Sequence, residues 1–442
     1  MPEFRPNQKG EILNNDFFGG NLAGIRAKLP YLQDLGVEAL YLNPIFMAFS
    51  SHRYDTADYS RIDPMLGTDA DFEALCRDAH DRGMKIILDG VFSHTGSNSK
   101  YFDDQHLFGN GAVSNPDSPY RSWYMFKKYP TEYTSWWGFK TLPTVNKLDP
   151  GFMDYIFGND DSVVAKWLRL GADGFRLDVA DELPDVFLMA LRRRIRELNP
   201  KAVLIGEVWE DASCKIAYGV RRNYFTHTQL DGVMHYVWRK AILDYARGDD
   251  DGTALKKAVQ QLSENYPAGV LRANLNLLSS HDVSRALTYL IDPTDGDRED
   301  LARRKPTEAQ LTAGRQMLKL ATFLQFTLPG SPCIYYGDEA GMQGYRDPFN
   351  RQYYPWGRED ADLRAHMKSL AQLKTGSKVL RFGQVEMLEA GTGRVAFRLI
   401  WQGKTVHCYC NRSQEPWQVF VAGTVLLGDP ALPPMSFCAI EV

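Results

Sequence analysis

The sequence has few cysteines, no long apolar run and no block of positive charge. Its first residues, MPEFRPNQKGE, lack the apolar core of a signal peptide, and no later run is apolar for long enough to span a bilayer. The formal net charge of −4 comes without a basic stretch of the kind that binds nucleic acid or an anionic membrane. We therefore expect neither a membrane nor a nucleic acid as a partner.

The six cysteines lie at positions 76, 214, 333, 408, 410 and 438 of the 442 residues. Their spacing fits neither a zinc site nor a disulfide-rich framework, so no residue is assigned to a metal site. Cys408 and Cys410 flank Tyr409 on a predicted strand, which is typical of small core side chains. The pattern predicts a soluble protein of the reducing cytoplasm. The sequence contains no internal repeat and no low-complexity segment.

A short stretch with charged residues inside an apolar run, Gly174 to Glu182, is the first functional signal. It follows a predicted helix that ends near Gly171, and it is typical of a short buried parallel strand. Arg176 and Asp178 are two apart, so they share a face near the carboxyl end of the strand. A guanidinium lowers the pKa of a neighbouring carboxyl, and an aspartate kept ionised in this way can act as a nucleophile. A structural Arg–Asp pair would give the same pattern.

Three other strand-like runs also end in acids or histidines. They are Ile86 to His94, Ile205 to Trp209 and Leu277 to Asp282. A barrel of parallel strands brings the carboxyl ends of its strands to one face, where such enzymes place their chemistry. The four strand ends together therefore favour a catalytic site over isolated structural pairs.

Helical and strand-like patterns alternate along most of the chain, which favours right-handed βαβ units and a parallel sheet. Strands are predicted at 37–44, 84–91, 172–178, 202–207, 230–234, 273–279 and 331–336. The clearest helices are predicted at 21–36, 69–83, 311–324 and 360–373. The connections at 247–272 and 292–305 are interpreted as loop-bearing.

Two segments depart from this alternation. Residues 95–158 are rich in Asn, Asp, Gly, Pro and aromatic residues, without periodicity and at a length unusual for a loop, which predicts an inserted irregular domain. Residues 376–442 change to a period of two, which predicts a small antiparallel, sandwich-like β domain. The predicted catalytic barrel is then made of residues 1–94 and 159–375.

In order and spacing, the four strand-end stretches resemble the signature regions of the α-amylase superfamily of glycoside hydrolases, from about Phe18 to the C-terminus. The resemblance implies a TIM-type (β/α)8 barrel. It implies that Asp178 is the nucleophile, Glu207 the general acid/base and Asp282 a third carboxylate that steadies the distorted sugar. Further contacts to the ring being cleaved are implied for His94, Arg176 and His281.

The same resemblance implies other sugar contacts. Tyr54 lies in a segment, Ser51 to Tyr59, similar to the one whose tyrosine stacks on the cleaved ring. Asp347 and Arg351 match a pair that relatives use against sugars on the non-reducing side, although an exposed salt bridge would have the same sequence. Selectivity on the acceptor side is expected at two residues, Trp209 and Glu182.

The residues after Asp178, Val-Ala-Asp-Glu, are similar to the Val-Ala-Asn-Glu of neopullulanases, cyclomaltodextrinases and maltogenic amylases, and Leu142 to Asn146 favours the same group. This predicts retaining hydrolysis of α-1,4 links, with α-1,6 links also open, in maltodextrins, cyclomaltodextrins or pullulan. The alternatives are an oligo-1,6-glucosidase, a glucan transferase or an inactive, truncated glucan-binding remnant.

Asp178 and Glu207 belong to consecutive βα units, so their strand ends are expected to be neighbours. Arg176 is expected to keep Asp178 ionised. Glu207 is flanked by Val208 and Trp209 without an adjacent cation, so it is expected to keep its proton near neutrality through partial desolvation. The two pKa values would then be separated as an acid and a nucleophile require.

One departure from the family pattern concerns the first barrel strand. Val37 to Pro44 matches the family's second strand and no strand pattern precedes it, so the first strand is expected to be missing, and a truncated N-terminus is the favoured explanation. The same loss would remove part of a loop where relatives bind calcium. No cofactor is expected for the chemistry, whereas a structural calcium ion stays open. A homodimer also stays open.

Overall fold

The computed structural model describes residues 4–226 and 229–442. The chain divides into two compact units. The first unit is made of residues 15–208 and 212–231, and the second unit of residues 1–14, 209–211 and 232–442. Within the described ranges, none of the helices combines the length and the apolar character needed to cross a membrane.

The first unit alternates helices and short strands. Its helices are α1 (Leu22–Ala27), α2 (Leu29–Leu35), α3 (Asp69–His80), α4 (Pro150–Met153), α5 (Val163–Arg169) and α6 (Asp185–Leu198). Its strands are β1 (Ala39–Leu42), β2 (Phe46–Ala48), β3 (Thr56–Ile62), β4 (Lys85–Gly90), β5 (Phe126–Lys128), β6 (Glu132–Tyr133), β7 (Gly174–Leu177), β8 (Val203–Gly206), β9 (Ile216–Ala217) and β10 (Val220–Arg221).

The helix predicted at 21–36 is two helices, α1 and α2, which meet at Lys28. Pro30 lies in the first turn of α2, where its missing N–H removes a bond that a continuous helix would need. In residues 4–21 no strand is present ahead of α1. A barrel that lacks its first strand stays a prediction from the sequence.

Four parallel strands of the first unit, β1, β4, β7 and β8, pair in that order. The register pairs Leu177 with Gly90 on one side and with Gly206 on the other, so β4, β7 and β8 end at the same level. β7 begins at Gly174, where φ is +151° and a Cβ atom would lie 2.2 Å from the carbonyl oxygen of Val203. Only glycine lets the two strands approach this closely.

The segment between β4 and α4 has little regular structure beyond the antiparallel pair β5–β6. Aromatic side chains form much of its interior, among them the buried Tyr101, Phe102 and Trp123. An isolated antiparallel bridge joins His94 to Thr144. The segment is thereby tied to the end of β4 through main-chain hydrogen bonding.

The second unit is helical in its first part and β-sheet in its last. Its helices are α7 (Tyr236–Arg247), α8 (Thr253–Asn265), α9 (Ala268–Ala273), α10 (Ala286–Ile291), α11 (Arg298–Arg303), α12 (Glu308–Thr327), α13 (Ala361–Gly376) and α14 (Lys378–Phe382). Its strands are β11 (Gly232–Val233), β12 (Leu275–Leu277), β13 (Ser331–Cys333), β14 (Gln384–Gly391), β15 (Arg394–Trp401), β16 (Lys404–Asn411), β17 (Trp417–Gln418), β18 (Thr424–Gly428), β19 (Ala431–Leu432) and β20 (Ser436–Glu441).

The connection at 247–272, which was interpreted as loop-bearing, consists mostly of two helices, α8 and α9. Leu255, Val259 and Leu262 of α8 are buried and follow each other at helical spacing. The charged residues between them masked this pattern in the sequence. Residues 292–305 likewise contain α11, in addition to a loop.

The C-terminal strands form a five-stranded antiparallel sheet in the order β14-β15-β16-β20-β18. Ala396, Tyr409, Cys438 and Ile440 belong to the buried cluster on one of its sides. Cys408 and Cys410, which flank Tyr409 in the sequence, are also fully buried. The antiparallel sheet that the period of two predicts is confirmed.

A buried lysine on α13, Lys374, makes stability depend on pH. Its Nζ donates to the carbonyl oxygen of Leu328 at 3.0 Å, and burial lowers the pKa of its ammonium from 10.5 to about 7. Between pH 7 and 10.5 the unfolded chain binds a proton that the folded chain does not, so stability rises with pH across this window.

We therefore expect Lys374→Met to raise the melting temperature, most of all below pH 7, and to flatten its dependence on pH up to about 10. Calorimetric melting curves of the wild type and of Lys374→Met at pH 6, 8 and 10 measure this effect. The difference in stability between the two proteins should change by roughly 1.4 kcal/mol per pH unit at most. Lys378→Met, which changes an exposed lysine of α14, is the control. An equal gain at every pH would contradict the assignment to a buried ammonium.

Candidate active site

A single buried arginine at the end of β7 contacts three carboxylates. Arg176 is fully buried, and its Nη1 donates to both oxygens of Asp89 at 2.8 and 3.0 Å and to Oδ1 of Asp178 at 3.0 Å. Its Nη2 lies 2.8 Å from Oε2 of Glu207. The three acids come from the ends of β4, β7 and β8, which the parallel register brings to one edge of the sheet.

The expectation that Glu207 has no adjacent cation is therefore wrong. Sequence neighbours suggested it, but the parallel pairing of β7 with β8 places the guanidinium of Arg176 against the Glu207 carboxylate. Burial by itself would lower the pKa of the Arg176 guanidinium, yet the charges of Asp89 and Glu207 hold it well above its usual value. Arg176 is thus a permanent cation that the two strand-end acids share with Asp89.

Asp89 is a site residue to which the sequence analysis assigned no role. It is buried, and burial raises the pKa of its carboxyl in spite of the opposing charge of Arg176. The hydroxyls of Tyr41 and Tyr54 donate to its Oδ2 at 2.7 and 3.0 Å. The signal was present in the sequence as an acid inside an apolar strand, Ile86 to Gly90, the same pattern that marked Asp178.

The backbone directly after Asp178 is strained. Val179 has a φ of 39°, which is rare for a β-branched residue and costs roughly 1–3 kcal/mol. In this conformation its N–H donates to Oε2 of Glu207 at 2.8 Å, while the N–H of Ala180 donates to the Glu207 carbonyl oxygen at 3.1 Å. The strain thus orients the Glu207 carboxylate, and it is not visible in the sequence.

His94 is buried beside Tyr54. Its Nε2 lies 3.1 Å from the carbonyl oxygen of Tyr54, so Nε2 carries the hydrogen and Nδ1 accepts from Ser93 Oγ at 2.9 Å. Burial lowers the pKa of the imidazole to about 3, so the ring is neutral at ordinary pH. Its ring centre lies 5.5 Å from that of Trp136. His94 therefore acts through hydrogen bonds and ring contacts, not through charge.

In the second unit, His281 and Asp282 follow β12 on a tight turn. Nε2 of His281 lies 3.2 Å from Oδ2 of Asp282, whose side chain is 32% exposed, whereas His281 is buried. The side-chain amide of Asn350 donates to the carbonyl oxygens of Ser280, His281 and Val283 at 3.1, 2.8 and 2.9 Å. This buried asparagine, which the sequence analysis missed, fixes the turn that carries Asp282.

The remaining predicted sugar contacts also lie in the second unit. The indole of Trp209 stacks on the ring of Tyr236 with centres 4.0 Å apart and planes 4° apart. Nε of Arg351 lies 2.7 Å from Oδ1 of Asp347, and Asn14 donates to the other oxygen of Asp347 at 2.9 Å. Trp209 therefore presents a supported aromatic face, and Asp347 and Arg351 form a half-buried ion pair.

Within residues 4–226 and 229–442, no group of three or more His, Cys, Asp or Glu side chains is arranged to hold a metal ion. The carboxylates at the end of the sheet are instead matched to Arg176. A structural calcium ion stays a prediction of the family resemblance.

Comparison with known proteins adds three findings. The model of a family described as alpha amylase, catalytic domain, matches residues 3–381. An amylopullulanase of Thermoanaerobacter thermohydrosulfuricus is 37% identical over 440 residues, which cover 90% of this chain and 29% of that protein. A cyclomaltodextrinase of Geobacillus thermopakistaniensis is 33% identical over 427 residues, which cover 94% of this chain and 66% of that protein. The chain thus spans less than a third of the amylopullulanase.

Among solved structures, the ligand-free cyclic α-maltosyl-(1→6)-maltose hydrolase from Arthrobacter globiformis is 26% identical, with a TM-score of 0.80. The match covers 100% of this chain and 94% of that one. These similarities imply a TIM-type barrel with a C-terminal antiparallel sheet domain, which confirms the predicted fold class at that level.

Proposed function

Because the chain belongs to the family of α-amylase catalytic domains, we propose that it is a retaining α-glucan hydrolase. Its proposed substrates are the α-1,4 links, and also α-1,6 links, of maltodextrins, cyclomaltodextrins or pullulan. The names of its relatives, amylopullulanase and cyclomaltodextrinase, support this substrate class. The observation that carries the proposal is the single guanidinium of Arg176 in contact with both Asp178 and Glu207.

That contact supports the roles that the family resemblance implies. A retaining glycosidase needs two carboxyl groups about 5–5.5 Å apart, and two acids on neighbouring nitrogens of one guanidinium are side by side. Asp178 is the proposed nucleophile and Glu207 the proposed acid/base. One cation offsets only one of the three surrounding negative charges. Asp282 is proposed as the third carboxylate.

The proposed reaction has two displacement steps. Asp178 attacks the anomeric carbon, the glycosidic C–O bond breaks, and Glu207 gives its proton to the departing oxygen. Water then attacks the glycosyl–Asp178 ester, Glu207 takes the proton of that water, and Asp178 leaves as a carboxylate. The two inversions together retain the α configuration. A sugar hydroxyl in place of the water would give transglycosylation.

The proposed sugar contacts differ in whether the side chain must give up a hydrogen bond within the protein to bind the sugar. Tyr54 would offer its ring face while its hydroxyl stays on Asp89. His94 would have to move its Nε2 hydrogen from the Tyr54 carbonyl to a sugar hydroxyl. Trp209, Asp347, Arg351 and His281 are kept as further contacts. We also propose that the protein is located in the cytoplasm, in line with its six free thiols. A homodimer is proposed as its assembly.

The test is reducing-sugar release from maltoheptaose, β-cyclodextrin and pullulan by the full chain, with Asp178→Asn as the blank. We expect turnover by the wild type, with α-configured first products in a rapid NMR assay. Cleavage confined to α-1,6 links would indicate an oligo-1,6-glucosidase, and products longer than the substrate a transferase. A folded wild type that binds these glucans without turnover would contradict the proposal and indicate a binding remnant.

Asn350→Ala is expected to lower kcat by about 10²-fold, because the turn that carries Asp282 loses three hydrogen bonds and a misplacement near 1 Å has an effect of that size. The unpaired carbonyls also lower stability by about 1–3 kcal/mol. Initial rates per mole of folded enzyme and chemical denaturation measure the two effects.

Asn411→Ala provides a matched control in the C-terminal sheet. Asn411 is also fully buried, and its amide donates to the carbonyl oxygens of Glu415, Leu432 and Pro433. We expect a similar loss of stability with kcat unchanged. Equal loss of kcat in both variants would show that Asn350 has a structural role only.

A further inference from the structure

An exposed aromatic pair lies in the first unit, outside the catalytic cluster. Trp137 is 75% exposed and Tyr218 is 72% exposed. Both have a positive φ, 47° and 54°, which costs free energy for residues other than glycine. At Tyr218 the positive φ is the one that the two-residue turn of its hairpin requires. The exposure of the two rings, and not their backbone conformation, therefore points to a ligand.

Ring contacts connect this pair to the catalytic cluster. Trp137 stacks on Trp136 with ring centres 5.2 Å apart and planes 17° apart, and Trp136 in turn contacts the ring of His94. The Trp137 side chain lies beside the hydroxyl of Tyr218, and that hydroxyl donates to Glu182. Glu182 follows the proposed nucleophile, Asp178, by four residues. The exposed pair is thus connected through ring contacts to His94, and through one hydrogen bond to the loop that follows Asp178.

The hairpin that carries Tyr218 is held rigidly against the loop after Asp178. Tyr218 lies at its tip between β9 and β10, which pair antiparallel. At its base, Lys215 lies 3.0 Å from Oδ2 of Asp181, and the hydroxyl of Tyr224 donates to Oδ1 of Asp181 at 2.5 Å. The hairpin backbone that carries Tyr218 is therefore anchored to the loop after Asp178.

We propose that Trp137 and Tyr218, here called the aromatic platform, bind an outer glucose ring of an α-glucan chain whose cleaved bond lies over Asp178 and Glu207. The inference rests on the proposed function. A pyranose ring has apolar C–H faces and hydroxyls at its edge. The two exposed rings match the faces, and the indole N–H, the phenol and the Glu182 carboxylate form a polar edge for the hydroxyls. The platform selects chains long enough to reach it.

The test is calorimetric binding of maltotriose and maltoheptaose to the full chain carrying Asp178→Asn, so that no sugar is consumed. Adding Trp137→Ala is expected to weaken maltoheptaose binding about tenfold and to change maltotriose binding by less than about twofold. Trp137→Phe keeps a ring face and is expected to retain most of the affinity. Phe420→Ala, which removes a 90% exposed ring in the C-terminal part, is the control and should change neither.

In the active enzyme, Trp137→Ala should lower kcat/KM for maltoheptaose by the same factor through KM. Full maltoheptaose affinity in Trp137→Ala would overturn the platform while leaving the proposed function intact. No glucan binding and no turnover by the wild type would overturn both. A dimer that Trp137→Ala converts to monomers, measured by sedimentation, with unchanged maltoheptaose affinity, would overturn the platform and make this patch a contact between two copies.

Discussion

Asp178→Asn is expected to abolish glucan hydrolysis, with kcat lowered by roughly 10⁴-fold or more, the order found when a covalent nucleophile is removed. An amide does not attack the anomeric carbon, and it removes one negative charge from the vicinity of Arg176. The fold should survive, because the remaining carboxylates, Asp89 and Glu207, still match the guanidinium. Initial rates on maltoheptaose and a melting curve measure the two expectations.

The matched control is Asp173→Asn, at the opposite end of the same strand. Asp173 pairs with His80 at 2.7 Å and with Lys85 at 3.1 Å, away from Arg176. We expect its kcat to stay close to that of the wild type. A fluorinated glycosyl fluoride that forms the ester quickly and hydrolyses it slowly should label the Asp178 peptide in mass spectrometry. A label on a different acid would contradict the assignment of the nucleophile.

Glu207→Gln is expected to lower kcat/KM on maltoheptaose by about 10²–10⁴-fold, because glutamine cannot protonate the departing oxygen. The effect should depend on the leaving group. Fluoride departs without a proton, so an α-maltosyl fluoride should still form the ester, and the release of fluoride should show a burst. Hydrolysis of that ester becomes slow, since no base remains to activate water.

Azide provides a second diagnostic for Glu207, because it attacks the ester without needing a base. It should restore turnover of the fluoride substrate by Glu207→Gln and yield a glycosyl azide. It should not restore Asp178→Asn, in which no ester forms. Equal loss on maltoheptaose and on the fluoride, with no response to azide, would show that Glu207 is needed for another reason.

The sequence was sufficient to predict the strand ends and the acids on them, because apolar strands interrupted by charge are rare and local. The same approach predicted the C-terminal antiparallel sheet from its period of two. It failed where a partner comes from another strand. The pairing of β7 with β8 was expected from the order of the βα units. The direction in which the Arg176 guanidinium points, towards Glu207 as well as Asp178, was not.

Three further features lay beyond the sequence for different physical reasons. The strained φ of Val179 is set by the surrounding contacts and not by the preference of valine. Asn350 is separated from the turn it holds by about seventy residues. Helix α8 carries its buried residues among enough charge to resemble a loop. In the first two cases the determining interaction is tertiary, whereas a sequence pattern contains only neighbours along the chain. In α8 the helical spacing is present in the sequence but is masked by charge.

If the proposed function is correct, the charges around Arg176 are also expected to decide which saccharides are tolerated. Asp89, Asp178 and Glu207 surround one guanidinium, so the cluster stays negative even when one of the carboxyls holds a proton. A uronate or a sugar phosphate brought to about 4 Å would meet a repulsion of about 1–4 kcal/mol, depending on how much water remains. Neutral glucose meets none. In the proposed hydrolase, the same arrangement of acids is therefore expected to discriminate against acidic polysaccharides.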